Sequence, residues 1–177
     1  MGITIHCDII VSSSEAAEAV LHVAEAFACE QGWRIEKVDI AHSKDIYMAD
    51  EEEIPYEGRL FGLIMHPHPD CDPLSIVFGS HGVAQDYCKT QFSPPDIHIK
   101  IIEFFKKAVQ HCETLRIKDE GEYLSTGDRA HLEARLKEHA EAIRQICSET
   151  GAEEKVRRPD GRISDAQSTA ELIEVKL

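Results

Sequence analysis

Ile3-Thr4-Ile5-His6-Cys7-Asp8-Ile9-Ile10-Val11-Ser12-Ser13-Ser14-Glu15 carries the first decision about the fold. Ile3, Ile5, Ile9 and Val11 share one parity in a β-branched run, which predicts a strand. Ile10 breaks the alternation, so a strand covered on both faces is expected. The serines then offer a helix N-cap, because a side-chain oxygen can accept the orphan N–H groups of a first turn. Glu15 and Glu18 suit the positive end of the helix dipole. Ala17, Val20, Leu21, Ala24, Phe27 and Ala28 recur at helical spacing, and Gly32 is a natural stop. Residues 33–40 read as a second strand, which makes a βαβ unit with a right-handed crossover the expectation. No glycine-rich turn follows the first strand, so the segment lacks the close backbone approach that a pyrophosphate needs.

Working outward, residues 42–58 form a long acidic connection containing Asp50-Glu51-Glu52-Glu53. A charge run of this kind predicts a solvated loop. A divalent-cation patch is the alternative, but consecutive carboxylates on an extended chain point in different directions. Leu60, Phe61, Leu63, Ile64 and Met65 mark a third strand over 59–66, residues 74–78 a fourth and residues 83–88 a fifth. Gly79-Ser80-His81-Gly82 turns the chain between the last two, which predicts an antiparallel meander. Pro94 and Pro95 open a helix with Ser93 as cap and Asp96 in its first turn. Ile97, Ile101, Phe104, Phe105, Ala108 and Cys112 trace its buried face, widened by Ile99 and Ile102. Leu115 and Ile117 predict a short sixth strand, and residues 121–127 a turn. Residues 128–148 predict a last helix with Leu132, Leu136, Ala140, Ile143 and Cys147 on one stripe.

The fold class that follows is α+β: one mainly antiparallel sheet of five or six strands with two or three helices, on a ferredoxin-like βαββαβ plan with additions. Residues 1–148 make the domain. Residues 149–177 change character: a charged tail with a Pro159-Asp160-Gly161 turn and an apolar end, Leu172, Ile173, Val175 and Leu177. Such a tail is expected to dock on the domain or on a partner subunit.

The 177 residues (19.9 kDa) include 33 acidic and 19 basic side chains, a formal net charge of −14. Nucleic acid and anionic membranes are poor partners for such a chain, because both bind through clustered cations. No window reaches the roughly 20 apolar residues that span a bilayer, and the start lacks the pattern of a signal peptide. A cytoplasmic location is expected. The six cysteines, at 7, 29, 71, 88, 112 and 147, make no CxxC pair. They are expected to be reduced and mostly buried.

One cluster suggests chemistry. His66-Pro67-His68-Pro69-Asp70-Cys71-Asp72 places two imidazoles, two carboxylates and a thiol within seven residues, with His81 able to join across a turn. Imidazole nitrogen and carboxylate oxygen are ligands for zinc or manganese, and a bound metal can acidify a water for hydrolysis. His66, His68 and Asp70 resemble the H-x-H-x-D-H signature of metallo-β-lactamase-like hydrolases. Cys71 stands where that family has histidine, and the chain is too short for that family's sandwich. The alternative is a proline-stiffened surface loop whose aspartates bond their own backbone. Cys88-Lys89 reads either as a nucleophile beside a cation or as a strand-end cysteine. His98, His111, His131 and His139 form no i, i+4 pair. Glu120, Glu122 and Asp128 around Tyr123 read as acid–base groups or, more simply, as turn and capping residues.

Lys89-Thr90-Gln91-Phe92 and Asp119-Glu120-Gly121-Glu122-Tyr123-Leu124-Ser125-Thr126-Gly127-Asp128, taken with the 66–74 loop, resemble a group of small uncharacterised bacterial proteins over residues 1–148. A tryptophan is usual in that group where Leu124 stands. The resemblance implies a fold and no catalytic residues. Two function classes remain: a non-catalytic binding or interaction domain that self-associates as a homo-oligomer, and a metal-dependent hydrolase on His66, His68, Asp70, Asp72 and His81. The small ligand of either is left open.

Overall fold

The hydrophobic face of the first strand sets the layers. The computed structural model describes residues 2–49 and 52–165. Strand β1 (Thr4–Ile10) turns Ile5, Cys7 and Ile9 into the core and His6, Asp8 and Ile10 to a half-buried outer face, so only one face is fully covered. Helix α1 (Ser14–Gln31) follows. Ser13 Oγ accepts from the Ala16 N–H at 3.2 Å, and Gly32 ends the helix in the left-handed conformation that a glycine adopts without strain.

Strand β2 (Arg34–Ala49) pairs antiparallel with β3 (Glu52–His66), and β3 with β4 (Leu74–Gly79). Strand β5 (Val83–Lys89) pairs with one side of β1. After helix α2 (Pro95–Ala108), β6 (Thr114–Asp119) pairs with the other. A one-turn helix, α3 (Tyr123–Thr126), leads to α4 (Arg129–Thr150). A short hairpin of β7 (Lys155–Arg157) and β8 (Ile163–Asp165) completes the described chain. Among the described residues the class is α+β, with four α-helices and antiparallel sheets. Two three-stranded sheets, ordered β5-β1-β6 and β2-β3-β4, stand where one sheet of five or six strands was expected. Strands β1 and β2 lie in different sheets, so the segment is not a parallel βαβ unit, and a ferredoxin-like order is not what the ladders show. Between β4 and β5 the Asp86 side chain takes the Ser75 N–H at 2.6 Å, so a side chain and not a backbone ladder bridges the two sheets at this point.

The described residues of the acidic connection are strand and not loop; Asp50 and Glu51 lie outside the described residues. The β2–β3 ladder continues to Ala49↔Glu52, as a two-stranded ribbon beyond the reach of β4. A register shift between Ile40 and Ser43, with Ala41 and His42 opposite Arg59, gives it a bulge. Pro55 is tolerated because β3 has a single ladder partner there. Near the base of the ribbon a side chain on Gly62 would place its Cβ 2.1 Å from the Ile76 carbonyl oxygen, so only glycine lets β3 and β4 approach.

Helices α1 and α2 pack on the inner faces. Val20, Ala24 and Phe27 meet Ile101, Phe104 and Phe105 over Ile5, Ile9, Met65, Leu74, Ile76 and Phe78. The Val, Leu, Ile, Met and Phe side chains among these each contribute about 1.5–3 kcal/mol when buried. Helix α4 is held by a smaller cluster of Ile3, Leu132 and Leu136, and is capped by Asp128, which accepts from Ala130 N at 2.8 Å. Ser93 does not cap α2. Pro94 holds the cap position without a side-chain bond, and Ser93 Oγ donates to the Thr90 carbonyl at 2.8 Å.

The hairpin docks on the domain through polar contacts. Lys155 pairs with Asp70 and Arg157 donates to the Pro69 carbonyl. The Ile163 N–H donates to Asp72 Oδ1 at 2.6 Å, and Arg162 reaches Asp86 Oδ1 at 2.5 Å. The apolar run 172–177 singled out in the sequence lies outside the described residues.

Candidate functional site

The outer face of the β5-β1-β6 sheet is where side chains with free bonding capacity gather. Alternation along β1 sends His6 and Asp8 outward, β5 adds Gln85 and Tyr87, and β6 adds Arg116. The ribbon leans over this face and is pinned there: Met48 N donates to Gln85 Oε1 at 2.6 Å, and Gln85 Nε2 donates to Met48 O at 2.7 Å. The result is an open groove of about 920 Å³, roofed by Ile46 and Met48 and bounded by Arg162. Ile46 is 59% exposed and Met48 47%, large values for such side chains.

The electrostatics of the groove are uneven. Arg162 is engaged: it bonds Asp86 and the Tyr87 carbonyl (2.6 Å) and lies over the Tyr87 ring at 4.1 Å. Burial pushes the Asp86 carboxyl above its ordinary value, and Arg162 opposes that push. By contrast, Asp8 and Arg116 are cross-strand neighbours, and neither has a hydrogen-bond or ion-pair partner among the described residues. His6 Nε2 stands 3.6 Å from Glu120 Oε1. A smaller cavity of about 210 Å³ lies under the ribbon and shares Gln85, Asp86 and Arg162 with the groove.

The residues named from sequence as metal ligands go to separate partners. His66 Nε2 is 3.2 Å from Glu36 Oε1 but poorly aligned for a hydrogen bond. Desolvation, then Arg34, holds its pKa below the ordinary value. His68 Nδ1 accepts from Asp70 N at 3.0 Å, and Asp70 pairs with Lys155. Asp72 is buried and accepts from Ile163 N and, at 3.2 Å, from Lys89 N. His81 sits between Tyr56, stacked at 4.4 Å, and Tyr47, edge-on at 4.3 Å. Among the described residues no three His, Cys, Asp or Glu side chains are grouped so as to hold a metal ion. Cys88 is fully buried. A hydrogen bond from Cys71 and burial push its thiol well above the ordinary value, so it is not an activated nucleophile.

Residues 89–92 and 119–128, two stretches singled out in the sequence, meet at a buried histidine. His98 Nδ1 is 2.7 Å from Thr90 Oγ1, and its Nε2 is 2.9 Å from Asp119 Oδ1. Asp119 also accepts from Gly121 N and Leu124 N, each at 2.7 Å. Burial would raise the Asp119 carboxyl; the bonds from His98, Leu124 and Gly121 outweigh it and hold it below its usual value. A Cβ on Gly121 would fall 2.8 Å from the His98 ring, so this glycine makes room for the imidazole. With His98 and Thr90 fully buried, the network braces the fold and offers no route to a substrate. Glu120 accepts from Thr4 N at 3.1 Å, Glu122 meets His131 at 2.6 Å and Asp128 caps α4, all structural duties.

No family model, curated protein or solved structure matches this chain. The site therefore stands on its own geometry. Sequence reasoning missed the groove because its members come from four strands and the terminal hairpin. The one available signal was the polar alternation of His6 and Asp8 on β1 and of Arg116 and Lys118 on β6.

Proposed function

We propose that the protein is a non-catalytic binding domain that takes an extended peptide segment in the groove between the ribbon and the outer face of the β5-β1-β6 sheet. The observation that carries this reading is the unpartnered Arg116 guanidinium beneath the exposed Ile46 and Met48. In an extended peptide, successive side chains point to opposite sides. A segment with an apolar side chain facing the roof and a carboxylate facing the floor therefore complements both. The metal-dependent hydrolase reading draws on side chains that take separate partners, whereas the groove draws on side chains left free, and that contrast favours the binding reading.

The test is selection of displayed random peptides against the intact protein, followed by calorimetry on the selected sequences. The expected peptides combine a carboxylate with an aliphatic or aromatic residue. Their affinity falls about tenfold or more in Arg116→Ala and in Met48→Asp, about 1.4 kcal/mol each. Both positions are exposed, so thermal stability stays near that of the parent. Peptides whose binding ignores both substitutions would place the interaction elsewhere and sink the reading. Light scattering of the same samples reports whether a second copy of the chain is an occupant.

A further inference from the structure

Cys71 and Cys88 hold their sulfur atoms 3.4 Å apart in the core, where the 67–73 loop crosses β5. The next residues along both segments fix this crossing. Asp72 N donates to the Lys89 carbonyl at 3.0 Å, and Lys89 N donates back to Asp72 Oδ2 at 3.2 Å. Cys88 Sγ also donates to the Asp72 carbonyl at 3.2 Å. A disulfide needs its sulfurs about 2.05 Å apart, so the two sulfurs must approach by roughly 1.4 Å to close this pair. Cys29, by contrast, is exposed, and no sulfur partner is found for it among the described residues.

The terminal hairpin clasps the neighbours of both thiols. Arg162 bonds the carbonyl of Tyr87, adjacent to Cys88, and Ile163 N bonds Asp72, adjacent to Cys71. Cys71 is 2% exposed and Cys88 0%, so neither meets a solute until something opens. The hairpin contributes one buried apolar side chain, Ile163, and otherwise rests on ion pairs and hydrogen bonds. Segments with few buried apolar contacts are those that open first.

We propose that Cys71 and Cys88 are a reversible dithiol–disulfide pair that closes by exchange with a low-molecular-weight disulfide when the β7–β8 hairpin lifts. One cysteine thiolate attacks a sulfur of the reagent, forming a mixed disulfide and expelling one thiolate. The second cysteine then attacks the protein sulfur of that mixed disulfide and expels the other thiolate. The two protein thiol protons pass to the two expelled thiolates. The protein loses two electrons and the reagent gains them. In the docked state the hydrogen bond from Cys71 and burial keep the Cys88 thiol protonated, so exchange waits for opening.

The test treats the full-length protein with excess oxidised glutathione near pH 8, traps free thiols by alkylation and maps tryptic peptides. Residues 60–89 form a single tryptic peptide that holds both cysteines. It is expected about 2 Da lighter, unalkylated and reversed by dithiothreitol, below the melting temperature. Exposed Cys29 serves as the internal clock. If Cys29 is fully modified and peptide 60–89 still carries two alkyl groups, the pair is not redox-active and the proposal fails. In Arg162→Met, closure is expected at least about tenfold faster, and in the surface variant Lys155→Ala faster by a smaller factor. Rates equal to the parent in both folded variants would overturn the role of the hairpin. Cys71→Ser is expected to abolish the light peptide, and its persistence would refute the pairing.

Discussion

Replacing Arg162 by methionine keeps a side chain of similar length but removes the guanidinium that pairs with Asp86, bonds the Tyr87 carbonyl and lies over the Tyr87 ring. The Asp86 side chain is 4% exposed and that of Arg162 19%, so the pair is largely but not wholly out of water. Removing one partner of a buried pair costs about 3–5 kcal/mol, because it leaves an uncompensated charge. Residual exposure of Arg162 places the expectation at the low end, about 3 kcal/mol. For a chain of this size that is a melting-temperature loss of roughly 6–12 °C. The pH dependence is the sharper test. Burial already raises the Asp86 pKa, and losing Arg162 raises it further. Between its unfolded and folded pKa values the native state then holds a proton that the unfolded state does not, so stability falls as pH rises through that window. The deficit of the variant is therefore expected to be largest near pH 8 and to shrink toward pH 5. Calorimetry of both proteins over that range provides the measurement. A deficit of equal size at both ends, or one below about 1 kcal/mol at pH 8, would refute the argument that Asp86 needs this cation.

Three further outcomes follow from the packing. His98→Phe removes a bond from the buried Asp119 and another from Thr90, with an expected cost of about 2–4 kcal/mol in urea unfolding at neutral pH. Because the folded Asp119 pKa lies below its ordinary value, the parent's benefit is present above about pH 4 and fades as pH falls through the folded value, so the gap between parent and variant should narrow in acid. Gly62→Ala forces a Cβ onto the Ile76 carbonyl and Val77 Cα, and is expected to cost about 2–3 kcal/mol by the same assay; a neutral result would mean that β3 and β4 are not in this register. Gln85→Ala frees the ribbon with less than about 1 kcal/mol of global loss, read as faster amide hydrogen exchange across residues 44–49 and 52–57.

What could be read from the chain was mostly local. Helices α1 and α4 announce themselves because Ser13, Gly32 and Asp128 act on backbone groups within a few residues. The ribbon was hidden because the acidic run masks the strand-like content of Ile46-Tyr47-Met48 and Ile54-Pro55-Tyr56, whose apolar side chains largely stay in solvent. The two sheets are bridged at β4 and β5 by the Asp86 carboxylate, which accepts from Ser75 N, and no periodicity reports that. The 66–72 cluster stands out as a string, yet Asp70 answers to Lys155, 85 positions away, and Asp72 to Ile163, 91 positions away. The groove poses the same difficulty in reverse: His6, Met48, Tyr87, Arg116 and Arg162 meet only after every strand is placed.

The late position of Arg162 in the chain affects biogenesis. A ribosome releases all six strands of the two larger sheets, with Asp86 among them, before it makes the guanidinium that balances that carboxylate. Until then, closing the seam between the sheets would desolvate an anion that has no cation beside it. The seam is thus expected to stay hydrated and loosely joined during translation, and to tighten only when the last-made hairpin arrives.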